Sequence, residues 1–300
     1  MMKALPSDKI LSALRCPLCH GEIRLSKEGA SAGKSLLCNG ERQHCFDFSA
    51  SGYVNLAPHG HGAAGDSKQA IRARTAFLDG GYYAPVRQAL CQALASRLST
   101  SEGPVVDAGC GEGYYSSALA AEGFSVVGLD LSKHGTDKAA KRCSAAHAFF
   151  GVASVFDMPL RDASVAGVVN VFAPCAEEEF CRVLQPNGIL AVAYAGPEHL
   201  RGLKEALYDH VRENDGRADL PRRMKKLEEL HVRYDVEVMG TEQVSNLFAM
   251  TPYYWRTSVA DGEKLKKRSS LRTAVDIWID IYQKVTNNEE GKANDGCRSH

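Results

Sequence analysis

Hydrophobic and polar positions change rhythm repeatedly through the middle of the chain. Val105–Val106 opens an apolar run that ends in Asp107–Ala108–Gly109–Cys110–Gly111–Glu112–Gly113, which predicts a buried strand followed by a glycine turn. Tyr114 to Glu122 has helical spacing, Ser125 to Asp130 reads as a strand, Lys133 to Ala146 as a helix and Phe149 to Ala153 as a strand. The continuous apolar run Val165–Phe172 suits a central parallel strand covered on both faces. A helix over Glu177 to Leu184, closed by Gln185–Pro186–Asn187–Gly188, and a strand over Ile189 to Ala195 continue the alternation. This repetition predicts an α/β domain with a mostly parallel, Rossmann-like sheet covered on both faces. Near the end, Val275, Ile277, Ile279 and Ile281 alternate with Asp276, Trp278, Asp280 and Tyr282, a late strand at or near the sheet edge. Upstream, Ala70 to Leu78 is helical, with Asp66–Ser67 offering the cap and Gly80–Gly81 the stop.

The glycine turn carries the first chemistry. Glycine removes the Cβ atoms that would obstruct a nucleotide-like ligand and permits backbone angles that other residues avoid. Asp130 stands about twenty residues later, at the tip of the next strand, where a carboxylate can accept both hydroxyls of a ribose. The three glycines alternate, unlike the G-x-G-x-x-G of dinucleotide folds, and Asp107 directly precedes them. That pattern resembles the motif of class I S-adenosylmethionine-dependent methyltransferases. The resemblance implies a seven-stranded sheet and places Asp107, Gly109, Gly111, Gly113 and Asp130 at the cofactor.

A second chemistry crowds the N-terminus. Cys16–Pro17–Leu18–Cys19 sets two thiolates on one side of a tight turn, as tetrahedral zinc requires, and Cys38 with the His44–Cys45 pair follows about twenty residues on. Cys16, Cys19 and Cys38 are three expected ligands; the fourth is His44 or Cys45. Four protein ligands leave no open position, so the metal is structural. His59 and His61 lie in a Gly-rich stretch that reads as a linker.

Composition changes this picture only by exclusion. The chain has 300 residues, 44% of them hydrophobic, with 36 Lys+Arg against 36 Asp+Glu. It is long enough for one large core and a small satellite, and its neutral balance argues against a strongly basic nucleic-acid binder while leaving room for local patches. No apolar run approaches a membrane span and the N-terminus lacks a signal-peptide core, so ten cysteines read as reduced thiols in the cytoplasm.

Several motifs in one order carry a closer resemblance. Cys-Pro-Leu-Cys-His at 16–20, Gly52-Tyr-Val-Asn-Leu56, the run Ala73 to Tyr83, Asp107 to Tyr115, Phe172-Ala-Pro-Cys175, Gly196-Pro-Glu-His-Leu200 and Met250 to Trp255 together resemble the 23S ribosomal RNA guanine-N1 methyltransferase family. That family modifies a guanine in one hairpin of the large-subunit RNA, and some members confer resistance to macrolide-type antibiotics. The resemblance implies zinc ligands at Cys16, Cys19, Cys38 and His44, and S-adenosylmethionine contacts at Tyr83, Gly111, Glu112, Asp130 and His199. It also implies a possible homodimer. The chain departs from the family in leaving five residues, Asn39 to Gln43, before the histidine, so Cys45 stays open beside His44. The expected organisation is a zinc-binding RNA-recognition module at 1–62, a methyltransferase domain at 63–287 and a disordered polar tail at 288–300.

The acceptor end is less determined. Guanine N1 must lose its proton before or during attack, and no residue is assigned as its base. Phe172–Ala173–Pro174–Cys175 is expected to border the acceptor, with Asn170 below it; Tyr114, Tyr115, Phe172, Tyr253, Tyr254 and Trp255 are candidates to stack on the base, Tyr114 suiting core packing better. Arg72, Arg74, the runs Arg222–Lys226 and Lys264–Arg268, and Arg15, Arg24, Lys27, Lys34 and Arg42 are candidate RNA contacts. Two rival functions are a methyltransferase of a small molecule, which needs no zinc module, and a non-catalytic RNA-binding protein, against which the intact glycine loop and Asp130 speak.

Overall fold

The computed structural model describes residues 5–26, 34–57, 65–143, 147–211, 213–214 and 221–285; Lys27, His59, His61 and the 288–300 tail lie outside them. Helix α1 (Asp8–Ala13) leads into a small antiparallel sheet of β1 (Ile23–Leu25), β2 (Ser35–Cys38) and β3 (Cys45–Asp47), followed by β4 (Val54–Asn55). Helix α2 (Lys68–Asp79) starts where Ser67 Oγ accepts the Ala70 N–H and stops at Gly80. Then come α3 (Ala84–Ala95), β5 (Val105–Ala108), α4 (Tyr114–Ala121), β6 (Val126–Asp130), α5 (Lys133–Arg142) and β7 (Ala148–Val152). Next are β8 (Val165–Val171), α6 (Glu177–Val183), β9 (Leu184–Ala195), α7 (Arg201–Leu207) and β10 (Lys225–Met239). Helix α8 (Thr241–Ala249), a 3-10 turn at Pro252–Trp255, α9 (Val259–Lys266) and β11 (Ser270–Gln283) complete the fold.

The large sheet runs β10-β11-β9-β8-β5-β6-β7-β4. β4 to β9 pair in parallel, and β11 runs antiparallel to both its neighbours. Every residue of β8 is buried, as a run apolar but for Asn170 suits, and apolar clusters cover both faces of the sheet.

Four features differ from the sequence expectation. The sheet has eight strands rather than seven, because Val54–Asn55 pairs with Gly151–Val152 and buries Val54 and Leu56. A strand not among the expected elements, β10, pairs with almost the whole length of β11, which lies near the edge as expected, second from it. The polar face of β11 is therefore covered, with Asp276 1% and Asp280 0% exposed. Each acid is met across the strand pair, Asp276 by His231 (2.6 Å) and Asp280 by Lys226 (2.8 Å). β9 begins at Leu184, which pairs with Val165, before an irregularity after which the ladder with β8 resumes at the expected Ile189. Helix α5 ends at Arg142, where Cys143 leaves helical angles, short of the expected Ala146 (residues 144–146 are outside the described set).

The described residues before β4 dock firmly on the large sheet. Leu14 bridges to Leu160, Arg15 N–H donates to Pro159 O (3.0 Å), and Arg161 N–H donates to Ala13 O (2.8 Å). Phe48 meets Phe149 edge-on at 6.4 Å. The carboxyl ends of the parallel strands, where α/β sheets bind ligands, carry the glycine turn after β5, Asp130, Ala153 and Phe172.

Candidate active site

A cavity of about 760 Å³ opens at those strand ends. Tyr83, Gly109, Gly111, Glu112, Asp130 and His199 all line it. Asp107 and Gly113 do not; they sit behind the loop. Asp107 is 1% exposed and accepts the Ser116 hydroxyl (2.5 Å), fixing β5 to α4. A Cβ on Gly113 would meet Ala139 at 2.8 Å, so this glycine lets α5 approach the turn.

The turn itself is left-handed at each glycine, with φ +83° at Gly109, +51° at Gly111 and +78° at Gly113. At Gly109 a Cβ would also stand 2.6 Å from the Ala173 Cβ. Strain and collision add, so Gly109→Ala is expected to push the Phe172–Pro174 loop away from the cofactor side. Backbone strain alone should cost about 1–3 kcal/mol of stability, and turnover should fall at least roughly tenfold as the loop moves. Steady-state rates measured beside a melting curve check this; an unchanged rate refutes the close packing.

Asp130 is oriented by two backbone amides: Gly111 N–H donates to Oδ2 (2.9 Å) and Ser132 N–H to Oδ1 (2.6 Å). Burial nevertheless holds its carboxyl above the ordinary range, with the two amides opposing. Burial likewise pushes Asp107 up to about 7, with Asp130 and Glu112 adding to the rise. Glu112 is 2% exposed, its acidity also weakened by burial against the pull of Arg74. Its Oε2 has no hydrogen-bond partner among the described residues, only the Arg74 guanidinium at 3.9 Å. Glu112 lines the cavity, and a buried acceptor left without a donor there fits a ligand ammonium. Arg74, one of the candidate RNA contacts, also pairs with Asp66 and lines the cavity.

Opposite the glycine turn, Tyr83 Oη and His199 Nε2 lie 3.1 Å apart, and Asp276 N–H donates to His199 Nδ1 (3.3 Å). Burial drops the His199 pKa to about 4 although Asp276 opposes the drop, so the ring is neutral. With Nδ1 an acceptor, the ring proton sits on Nε2 and is donated to Tyr83. The Tyr83 proton is then free to point into the cavity, and burial keeps that phenol protonated.

The cysteine-rich segment forms a compact donor set. Sγ of Cys16, Cys19 and Cys38 and a ring nitrogen of His44 all lie within 4.8 Å of one another. His44 Nδ1 is 3.5 Å from Cys16 Sγ and 3.4 Å from Cys38 Sγ, and the Cys19 and Cys38 sulfurs are 3.7 Å apart. A tetrahedron with Zn–S about 2.3 Å and Zn–N about 2.0–2.1 Å has edges of about 3.8 and 3.5 Å, close to these three separations, so the donor set suits zinc. Burial raises the Cys38 thiol, but the amides of His44 and Gly40 overcome it and bring it to about 6. Burial leaves Cys16 near 11, a proton a divalent cation would displace. Cys45 is exposed and turns to Asp47 (3.6 Å), outside the set. The five-residue loop closes because Gly40 carries no Cβ; one would stand 2.8 Å from Cys19 Sγ.

Other expected RNA contacts divide. Arg15 is held by Asp157 and Asp162, while Arg222 and Arg223 amides donate to Glu177 and the Arg223 guanidinium pairs with Glu178. Arg24, Lys34 and Arg42 are exposed on the cysteine-rich module. Asn170 holds the Phe172–Cys175 loop, donating to Pro174 O (3.1 Å). Tyr114 packs in the core under Arg87. Asp66, Asn214 and Phe156, none of them assigned from the sequence, also line the cavity. None carries a local motif that could have marked it.

The chain is similar to known families in both parts. A zinc-ribbon family described as "RlmA, N-terminal" matches residues 14–62, and one described as a methyltransferase domain matches 105–188. A 23S rRNA (guanine(748)-N(1))-methyltransferase of Streptomyces fradiae is 37% identical over 205 residues, covering 66% of this chain and 69% of that one. A Bacillus subtilis (strain 168) protein, provisionally named a 23S rRNA (guanine-N(1)-)-methyltransferase, is 30% identical over 91% of this chain and 98% of its own. A similarly named protein of Micromonospora griseorubida is 34% identical over 84% of this chain and 90% of its own.

Proposed function

The chain belongs to the 23S rRNA (guanine-N1)-methyltransferase family, and from that premise we propose that it methylates N1 of a guanine in a hairpin of 23S ribosomal RNA. S-adenosylmethionine is the methyl donor and zinc a structural ion. In this reading Asp130 accepts the ribose hydroxyls, Glu112 the amino group, and Gly109 and Gly111 give the ligand room. Tyr83, aligned by His199, donates a neutral hydrogen bond. Cys16, Cys19, Cys38 and His44 hold the zinc.

Bound cofactor supplies an electrophilic methyl on a sulfonium, so the protein has mainly to align an acceptor with it and exclude water. The observation that carries the RNA reading is the loop between β7 and β8. Ala153–Phe156 line the cavity, while Pro159–Arg161 hold the zinc module beside it. A target gripped by Arg24, Lys34 or Arg42 would therefore be delivered next to the cofactor. Small-molecule chemistry has no use for that arrangement, and a non-catalytic role leaves the glycine turn and Asp130 unexplained. The reading takes residues 1–62 as the recognition module and 63–287 as the catalytic domain, Val54–Asn55 serving as the sheet's outermost strand. It includes a cytoplasmic location; no described helix is long and apolar enough to cross a membrane. It also includes a homodimer, for which β10 offers an edge that no strand of the sheet covers.

Incubation with methyl-labelled cofactor and unmodified large-subunit RNA, followed by mass spectrometry of the nucleosides, tests it. Label in 1-methylguanosine is the expected result. Cofactor binding with no label in RNA refutes it.

A further inference from the structure

The described residues leave seven large hydrophobic side chains exposed, and only three are aromatic: Phe156 (61%), Phe172 (48%) and Trp255 (70%). All three line the same cavity. Flat apolar groups left in water around one opening mark a surface that a flat ligand covers.

Phe172 is the best defined of them. Its φ of +53° is a left-handed angle that glycine would adopt without strain, yet a bulky ring stands there. Its N–H donates to Ala193 O (3.0 Å), and the next residue, Ala173, abuts Gly109, so the ring is fixed beside the glycine turn. One face of the ring stacks on His199, with centroids 5.8 Å apart and planes 21° apart. With one face backed and the ring about half exposed, a stack of His199 and Phe172 stands ready to be extended by one more flat group. Trp255, at the end of the 3-10 turn, is braced edge-on by Tyr254 (5.1 Å), whose hydroxyl accepts from Gln69 Nε2 (3.1 Å). The acids of the cavity wall are engaged by other partners: Asp66 and Glu112 by Arg74, Asp130 by the Gly111 amide.

Resting on the methyltransferase reading above, we propose that the target guanine is turned out of its RNA and stacked on Phe172, with Trp255 and Phe156 closing over it. N1 lies on the Watson–Crick edge, so a paired guanine must leave its stack before it can be methylated. The aromatic mouth replaces the stacking that the base loses, which holds N1 toward the glycine turn.

Phe172→Gly separates this role from a structural one, because glycine removes the ring and relieves the backbone together. Its melting temperature is expected to be no lower than wild type, with S-adenosylmethionine affinity within about threefold. Methylation of a hairpin fragment of 23S RNA is expected to fall roughly ten- to a hundredfold in kcat/KM, the range for losing one base–aromatic stack. Phe172→Trp restores most of that loss and Phe172→Leu does not; Trp255→Ala loses activity in the same direction. A Phe172→Gly enzyme as active as wild type, or a Phe172→Leu enzyme as active as Phe172→Trp, overturns the stack. Wild-type enzyme that makes no 1-methylguanosine overturns the methyltransferase reading and this proposal together.

Discussion

Asp130→Ala lowers the affinity for S-adenosylmethionine by at least roughly a hundredfold, since each hydrogen bond to a charged group contributes about 1.5–3 kcal/mol and a ribose offers two. The substitution acts twice. It removes the acceptor, and it strands the Gly111 and Ser132 amides that now bond its two oxygens, so the glycine turn loosens as well. Asp130→Asn keeps one acceptor oxygen and retains part of the affinity. Asp107→Asn differs in kind, because Asp107 faces Ser116 and not the cavity: it changes stability more than affinity. Calorimetric titration distinguishes the three variants; wild-type affinity in Asp130→Ala defeats the ribose assignment.

The same acids set a pH dependence whose sign can be worked out. Burial raises the pKa of Asp107 (to about 7), Glu112 and Asp130 above their unfolded values. Each contribution to stability is then fully present below the ordinary carboxylate range and is lost as pH rises through the raised folded value, about 7 for Asp107. A cationic cofactor favours the ionised acids, so its affinity moves the other way. Across this window the free protein loses melting temperature with rising pH while the shift produced by S-adenosylmethionine grows. Parallel melting curves with and without cofactor check both slopes, and a cofactor shift that shrinks with rising pH contradicts the assignment.

Cys38→Ala is expected to abolish zinc binding and to reduce RNA methylation roughly a hundredfold or more. Structural zinc in small modules contributes about 10–16 kcal/mol of binding free energy at pH 7, coupled to folding. The three short strands β1 to β3 have little other core: Ile23, Leu36, Cys16 and Cys38 are its buried apolar centre. S-adenosylmethionine binding should change little, because none of these residues lines the cavity. Cys45→Ser leaves zinc at wild-type stoichiometry and His44→Ala does not. Elemental analysis of the purified variants reads this directly, and full zinc in His44→Ala overturns the ligand set.

The sequence by itself determined the alternating strands and helices from Val105 to Ala195, because period and length report burial locally and need no knowledge of partners. It also marked the glycine turn with Asp130 and the three cysteines, since few residue types tolerate those backbone angles or bind zinc. Only the tertiary structure decided which chemistry meets which. His44 and Cys45 are neighbours with similar donor ability, and the fold of the Asn39–Gln43 loop turns one inward and the other out. Arg74 looks like a surface residue of an amphipathic helix until Asp66 and Glu112 arrive beside it. Tyr83 and His199 are 116 residues apart, and the amide that fixes the histidine tautomer comes from Asp276 on β11. Asp276 and Asp280 mark the polar side of the period-two strand β11, and they are buried because β10 supplies His231 and Lys226 to them. Local pattern reports how much water a residue avoids; the partner it meets is set by chain crossings that no local window contains.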